Sequence, residues 1–573
     1  MGLQAKKLRF AGLTDNFSSF LIAATFGLLI VNCVFFDKGY YDTMPQDLFG
    51  FLDGIYRTHL GQVPHRDFST VEGAIQFLVP SFFVDLGANL VSSVRYYHVI
   101  LLLLAMCIVI YIQRTRLENV VSISFGAVVG LALACKYNFG GSPFEITEAM
   151  LYNRIGFVFL TLELALFINP AIKRTAINVD QLLYVDAALT GLICGFLFYV
   201  KFTFGLAALG FAFFNLLADD RTWRSTIILL SGALVVLLLF VIIIEFGYGG
   251  GFALYRDVRM AMLSDSGGKM RIIFHRLIVD APEIIIAVVL PLLIIRFSGV
   301  KIIIYWVLYA LVIILSSITL QIYSAQESVL FLPLAFILFA MSKLQSDNNT
   351  NEYDDRIPYF LVMIFVSILA IANLAYPMLI NVMLSSTRYY YSGPQPESGN
   401  SLLNTIRTTS LRAEADHAGK LLSPHAVEMV KSEPPLDAYM LARTSRPPYP
   451  WDNLSFPEYK FYLSDGLNAA TSGCLKGARI ATLDFVNPFP ALLGWPEGGG
   501  MVFVDQPWLV SETHHLSAAE MFRQIDCVLV PKAQMLTGLR EFFRRVYGEY
   551  LDAKYAKTTE TALWTVLAAK PEE

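Results

Sequence analysis

FSSFLIAATFGLLIVNCVFF (Phe17–Phe36) runs without a break into DKGYYDTMPQDLFGFLDGIYRTHLGQVPHRDFST (Asp37–Thr70). The first stretch carries no charge and is as long as a bilayer-crossing helix, which needs about 20 apolar residues. The second holds five aspartates, Asp37, Asp42, Asp47, Asp53 and Asp67. One carboxylate at a bilayer centre costs roughly 2.5 to 3.5 kcal/mol, so Asp37 marks the place where the chain leaves the hydrocarbon. No small-residue cleavage pattern closes the apolar run, and it is expected to be a retained first span.

Similar runs recur as far as Leu384. The 573 residues are 55% hydrophobic and 16% charged, with a mean hydropathy of +0.54, outside the composition of soluble domains. About eleven spans are expected: the first, then Tyr96–Ile112, Asn119–Ala134, Ile155–Ile168, Leu182–Val200, Thr203–Ala218, Ser225–Ile244, Pro282–Ile295, Ile302–Thr319, Ser328–Lys343 and Tyr359–Leu384. Gly73–Leu90 is also apolar, but Pro80 and Asp85 interrupt it, which suits a re-entrant or surface helix. Lys6, Lys7 and Arg9 precede the first span, and Arg114, Arg116, Arg221 and Arg224 fall on the same side, which the positive-inside rule makes cytoplasmic. An odd count places everything after Leu384 outside. The net charge of −4, with no block of basic residues, excludes a nucleic-acid surface.

The chain thus divides into a membrane domain, 1–384, with its first outer loop at 37–95, and a second domain, 385–573, entered through the turn-rich GPQPESGN (Gly393–Asn400). In the second, RIATLDF (Arg479–Phe485), GMVFVD (Gly500–Asp505), CVLVPK (Cys527–Lys532) and LWTVLAAK (Leu563–Lys570) have strand patterns, with helical pattern at Ala518–Gln524 and Gly538–Val546. A small extracytoplasmic α/β unit is expected. Cys33, Cys107, Cys135 and Cys194 lie in or beside apolar runs as small hydrophobes; Cys474 and Cys527 either pair, if the tail meets an oxidising compartment, or remain thiols.

In the first outer loop, Leu48, Phe51, Leu52, Ile55, Tyr56 and Leu60 recur at helical spacing, with Gln46, Asp47, Asp53 and Arg57 on the other side. This pattern predicts an amphipathic helix lying in the membrane interface, with Asp47 and Asp53 on its wet face. GYGGG (Gly247 to Gly251) has the freedom of a lid. Glu145 and Glu148 are expected as exposed loop charges, while Glu163 and Asp186, inside spans, should face the bundle interior and pair there.

A span ending in an acidic residue, then DKGYY, a surface helix and GQVPHRDF before an apolar segment resembles the first outer loop of the C-type glycosyltransferase superfamily. MLYNRIGF (Met150–Phe157), KFTFG (Lys201–Gly205) and LDFVNPFPALLGWPEGG (Leu483–Gly499) extend the resemblance over most of the chain. It implies a polytopic helical enzyme of a bacterial inner membrane that moves a sugar, with inversion, from a polyprenyl-phosphate donor to a cell-envelope glycan or glycolipid acceptor on the periplasmic face. Asp37 takes the position of the general base; Lys38 follows it where an acidic pair is commoner, and Asp42 is the candidate second acid. Cations that break the positive-inside pattern are the candidates for the donor phosphate: Lys201, Arg154, Arg256, Arg259 and Lys136. His65, Arg66, Asp67 and Glu145 are candidates for acceptor contact or for tying the loop together. No cofactor is implied, and no tight acidic or histidine cluster indicates a metal. The rival readings are a transporter or flippase of lipid-linked sugars and a glycan polymerase or ligase.

Overall fold

A computed structural model of the chain describes residues 2–36, 39, 41, 44–117, 119–137, 143–166, 179–218, 223–264, 375–387, 399–407, 456–504, 509–532 and 539–571. Asp37, Asp42, the expected spans between Pro282 and Lys343, most of Tyr359–Leu384 and most of the Gly393–Asn400 linker lie outside them.

The described chain is largely helical: Gly2–Val31 (α1, prolonged by a π-turn over Asn32–Phe36), Pro45–His59 (α2), Ile75–Asp85 (α3), Leu90–Thr115 (α4), Asn119–Ala134 (α5), Leu151–Leu166 (α6), Val179–Val200 (α7), Phe202–Ala218 (α8), Trp223–Val241 (α9) and Leu254–Leu263 (α10). Four described helices are long and apolar enough to cross a bilayer, namely Asp15–Phe36, Leu90–Thr115, Gln181–Val200 and Ile227–Gly247. The segment after Gly73 forms only α3, 11 residues with Pro80 inside, too short to span. Helices α1, α4 and α5 pack together, and α7 packs against α8 and α9. A Cβ on Gly191 of α7 would lie 2.4 Å from the Ala233 carbonyl oxygen; the bare backbone lets α7 and α9 close up, as small residues do between helices in lipid.

The buried acids inside the helices are paired as expected. Asp186 binds Arg116 at 2.5 Å and accepts from the Tyr111 hydroxyl at 2.6 Å. Glu163 accepts from the Cys194 thiol at 3.3 Å.

Helix α2 departs from the expectation. Asp53 and Arg57 are 0% and 1% exposed, so the predicted wet face is covered. Arg57 Nε donates to Asp53 Oδ2 at 2.9 Å, its other end reaches Glu497 Oε2 at 3.0 Å, and Nη1 donates to the Gly498 carbonyl at 2.9 Å. Gly50 faces the Phe503 ring, and Phe49 packs on Tyr459 at 5.5 Å between centroids. The cover is the tail domain itself, which replaces water over the polar side of α2. Burial pushes Glu497 well above the usual carboxylate range; Arg57 opposes the rise and Asp53 adds to it. Burial raises Asp53 as well, against the pull of Arg57.

In the tail, Phe456–Gly473 (α11) and Leu539–Lys554 (α12) accompany one sheet of Ile480–Thr482 (β1), Cys527–Pro531 (β2), Tyr555–Glu560 (β3) and Trp564–Ala569 (β4). Its order is β1-β2-β4-β3, with β1 and β2 parallel and the other pairs antiparallel. Three expected strands are present. Gly500–Val504 joins no sheet and binds the first loop instead: Ser69 N donates to Gly500 O at 2.9 Å and Val502 N to Ser69 O at 3.0 Å. Its apolar residues are buried by that contact, which is why they mimic a strand. Cys474 and Cys527 form a disulfide, with Cα atoms 5.9 Å apart.

Candidate functional site

The helix ends beside the first loop carry a buried polar cluster. Gly73 anchors it: its N–H donates to Val200 O at 2.9 Å, and a Cβ there would meet the Tyr199 carbonyl at 2.0 Å. Only glycine lets the loop lie so close to the end of α7. Lys201 occupies the single-residue break between α7 and α8, Lys136 follows α5, and Arg154 sits in the first turn of α6.

Glu148 lies between Lys136 and Arg154. Far from being exposed, it is 4% accessible and pairs with Lys136 at 3.1 Å, Arg154 at 3.3 Å and His98 Nε2 at 3.2 Å. The other nitrogen of His98 lies 2.7 Å from the Leu133 carbonyl oxygen. Burial opposes ionisation of Glu148, but Lys136, His98 and Arg154 outweigh it and hold the carboxyl well below the usual range. Lys201 Nζ donates to Asn153 Oδ1 at 2.9 Å and lies 4.6 Å from the centre of the Tyr152 ring. Arg154 Nη1 reaches Tyr137 O at 3.0 Å, while Arg154 Nε and Asn153 Nδ2 are buried without hydrogen-bond partners among the described residues.

The DKGYY segment borders this cluster. Lys136 Nζ lies 5.0 Å from the centre of the Tyr41 ring, and Gly39 and Tyr41 are bonded through their backbones to Arg407 at 2.8 and 2.9 Å. Asp37 and Asp42 themselves are not among the described residues.

Glu72, which sequence reasoning passed over, is 7% exposed. Its N–H is bonded to Thr70 Oγ1 at 3.2 Å, and its carboxyl has no hydrogen-bond partner among the described residues. Burial pushes it up to about 8; nearby Asp47 adds to the rise and Lys201 opposes it. It is therefore a protonated carboxyl at neutral pH, able to donate a hydrogen bond beside a lysine. No local signal in STVEGA distinguishes this glutamate from a loop charge.

The remaining candidates separate. Arg66 and Asp67 pair with each other at 2.7 Å near the surface, Arg66 being 49% exposed; this is a loop tie. Arg256, 43% exposed, is held by Asp257 at 3.1 Å, and Arg259 on α10 is exposed. Neither shares a described contact with Lys136, Arg154 or Lys201. Glu145 is half-buried and its carbonyl accepts from Asn381 Nδ2 at 2.9 Å. GYGGG is tethered: Arg66 donates to Gly249 O at 3.2 Å, and the chain wraps Glu245, whose carboxylate accepts from Phe252 N at 2.6 Å. His65 is buried and bound to Asp257 at 3.0 Å. Among the described residues no group of three His, Cys, Asp or Glu side chains gathers to hold a metal.

Chemically, Lys136 and Arg154 meet around the Glu148 carboxylate, while Lys201, held by Asn153, lies near the neutral carboxyl of Glu72. No protein-family model, curated protein or solved structure matches the chain.

Proposed function

We propose that this chain is an inverting membrane glycosyltransferase, with about eleven spans, that uses a polyprenyl-phosphate sugar on the outer face of a bacterial inner membrane. The observation that carries the reading is the burial of Lys136 and Arg154 around Glu148, bordered by Tyr41 of DKGYY, with Lys201 buried against Asn153 of the same helix as Arg154. Cations at the outer ends of spans suit a lipid phosphate, whose chain lies in the bilayer while its charge meets the protein. The Cys474–Cys527 disulfide supports an oxidising environment for the tail, hence an extracytoplasmic one.

In the reaction, an acceptor hydroxyl oxygen attacks the anomeric carbon as the bond from that carbon to the phosphate oxygen breaks. Asp37 takes the hydroxyl proton. The polyprenyl phosphate leaves with the bonding electrons onto Lys136, Arg154 and Lys201, with Glu72 donating a hydrogen bond to it. A phosphate is a good enough leaving group to need no paired acid, unlike a sugar alkoxide in glycoside hydrolysis.

Purified protein in nanodiscs, given a panel of polyprenyl-phosphate sugars and membrane glycolipid extract, should transfer sugar. Asp37→Asn should lower kcat by roughly 10²- to 10⁴-fold, the usual contribution of a general base. Full activity in that variant rejects the assignment of the base. Binding of the donors with no transfer to any acceptor favours a flippase.

A further inference from the structure

The amphipathic pattern of α2 pointed to the membrane interface, but the tail domain covers that helix, and two other short helices carry the features of an interfacial element. Helix α10 begins at Leu254, just past the GYGGG turn that ends the membrane-crossing helix Ile227–Gly247. It is 10 residues long, too short to span, so it stays at the level where Gly247 leaves the hydrocarbon. Its inner face is buried through Leu254, Asp257, Met260 and Ala261. Its outer face is ill suited to water: Tyr255 and Met262 are 67% and 66% exposed, and Leu263 is exposed beside them. Arg256 and Arg259 are exposed too. At about 100° per residue, these five positions occupy roughly one third of the helix circumference.

Helix α3 presents a matching surface. Phe82 is 57% exposed, as is Leu86 one turn on, while Phe83 packs on Tyr96 of the α4 span at 5.3 Å between centroids. Leu78 of α3, Ile244 of the span and Leu254 of α10 border one small cavity, so the two short helices flank the same span end. Between them Phe246, Tyr248 and Phe252 are exposed, an aromatic belt at headgroup level. Single exposed apolar residues are ordinary on a protein surface, but a continuous set around the end of a span marks an interaction face. That set continues the side of Ile227–Gly247, little of which is buried, and lipid covers such a helix. The two arginines of α10 differ in what holds them. Arg256 is engaged by Asp257 and donates to the His65 carbonyl at 2.6 Å, whereas Arg259 has no ion-pair partner among the described residues. An arginine amid apolar residues lays its stem along acyl chains and extends its guanidinium to a phosphate.

We propose that the outer faces of α10 and α3 lie in the bilayer interface at the Gly247 end of the span, and that Arg259 takes the headgroup of an anionic phospholipid there. The surface has a consequence for the first outer loop. On the inner face of α10, Asp257 accepts from Ser69 Oγ at 2.5 Å and Thr70 N at 3.0 Å and lies 3.0 Å from His65 Nδ1. Lipid bound outside α10 therefore steadies the loop held inside it. The inference needs the membrane spans and does not depend on the glycosyltransferase reading.

The test uses the full chain in nanodiscs. Cys107, the exposed free cysteine among the described residues, is changed to alanine, and a nitroxide is attached in turn through Phe82→Cys, Tyr255→Cys and Met262→Cys. Arg544→Cys, on the exposed side of α12, is the aqueous reference. Collisions with oxygen, which partitions into lipid, should exceed those with a water-soluble nickel chelate at the first three positions, and the order should reverse at 544. A preference for nickel at 255 and 262 puts α10 in water and overturns the proposal; low collision rates with both reagents mean that protein covers the face and overturn it equally. The headgroup is read from hydrogen exchange at Thr70, whose N–H depends on Asp257. Replacing part of a phosphatidylcholine bilayer with phosphatidylglycerol should slow that exchange about fivefold, the effect of one cation at an anionic surface. Arg259→Gln should abolish the difference and Arg259→Lys should keep it. Equal exchange in the two bilayers for the wild-type chain, or an undiminished difference in Arg259→Gln, rejects the headgroup site.

Discussion

Replacing Arg57 with methionine should detach the tail domain from the first outer loop. The guanidinium is 1% exposed, lies between Asp53 and Glu497, holds the Gly498 carbonyl and stacks over the Phe68 ring at 5.6 Å. Methionine fills much of the volume but leaves both acids in the apolar seam without their cation. Breaking a buried ion pair from one side costs about 3–5 kcal/mol. At about 1.36 kcal/mol per power of ten, that lowers the protection of amides that depend on the seam by roughly two to three and a half powers of ten. The reporters are Ser69 and Val502, whose N–H groups are the hydrogen bonds between loop and tail. Hydrogen exchange followed by mass spectrometry on the chain in nanodiscs measures them. The triple variant Asp53→Asn, Arg57→Met, Glu497→Gln removes every charge and should regain most of the protection, because neutral isosteres avoid the desolvation cost. A loss of under tenfold in Arg57→Met would refute the seam as the element joining the two parts.

Glu72→Gln should flatten the pH dependence of stability. Burial raises this carboxyl from 4.5 to about 8, so its ionisation penalty is absent below about pH 4.5, grows as pH rises and is complete above about 8. The variant should gain up to about 4–5 kcal/mol at pH 8.5 and nothing at pH 4; thermal unfolding across that range checks it, and an equal gain at both ends contradicts it. Glu148→Gln acts in the opposite sense, since the folded carboxyl is depressed from 4.5 by Lys136, His98 and Arg154. Its stabilisation is present above about pH 4.5 and lost as pH falls further, so the variant should lose about 3–5 kcal/mol at neutral pH, measured by the same unfolding series. Cys474→Ser with Cys527→Ser opens a link spanning 53 residues and should lower tail stability by about 4 kcal/mol on the loop-entropy estimate. Guanidinium unfolding of the full chain followed by tryptophan fluorescence should show that loss, and an unchanged midpoint excludes it.

What the sequence revealed follows from where each physical signal resides. Helices α4 and α7 each hold a long apolar run, so their positions follow from length and hydropathy. The pattern of α2 is equally clear, but it says only that one side is polar, not what covers it; Arg57 is 441 residues from the carbonyl it binds. β3 was not anticipated because YAKTTE is mostly exposed and carries a lysine, as an edge strand does. Lys136, Arg154 and Lys201 stood out as cations on the wrong side of the topology, whereas Glu72, His98 and Glu148 acquire their character only from the groups they face.

The two ends of the helical bundle carry different buried polar networks. At one end Arg116 meets Asp186, its Nε donates to Leu166 O at 2.9 Å, and Tyr111 supplies Asp186 with a further donor. Arg116 Nη2 is ion-paired there without meeting hydrogen-bond geometry. At the other end, among the described residues, Arg154 Nε and Asn153 Nδ2 are buried without hydrogen-bond partners. Each buried orphan costs about 1–3 kcal/mol. A buried guanidinium nitrogen and a buried amide nitrogen beside Lys201 have the chemistry of an anion site.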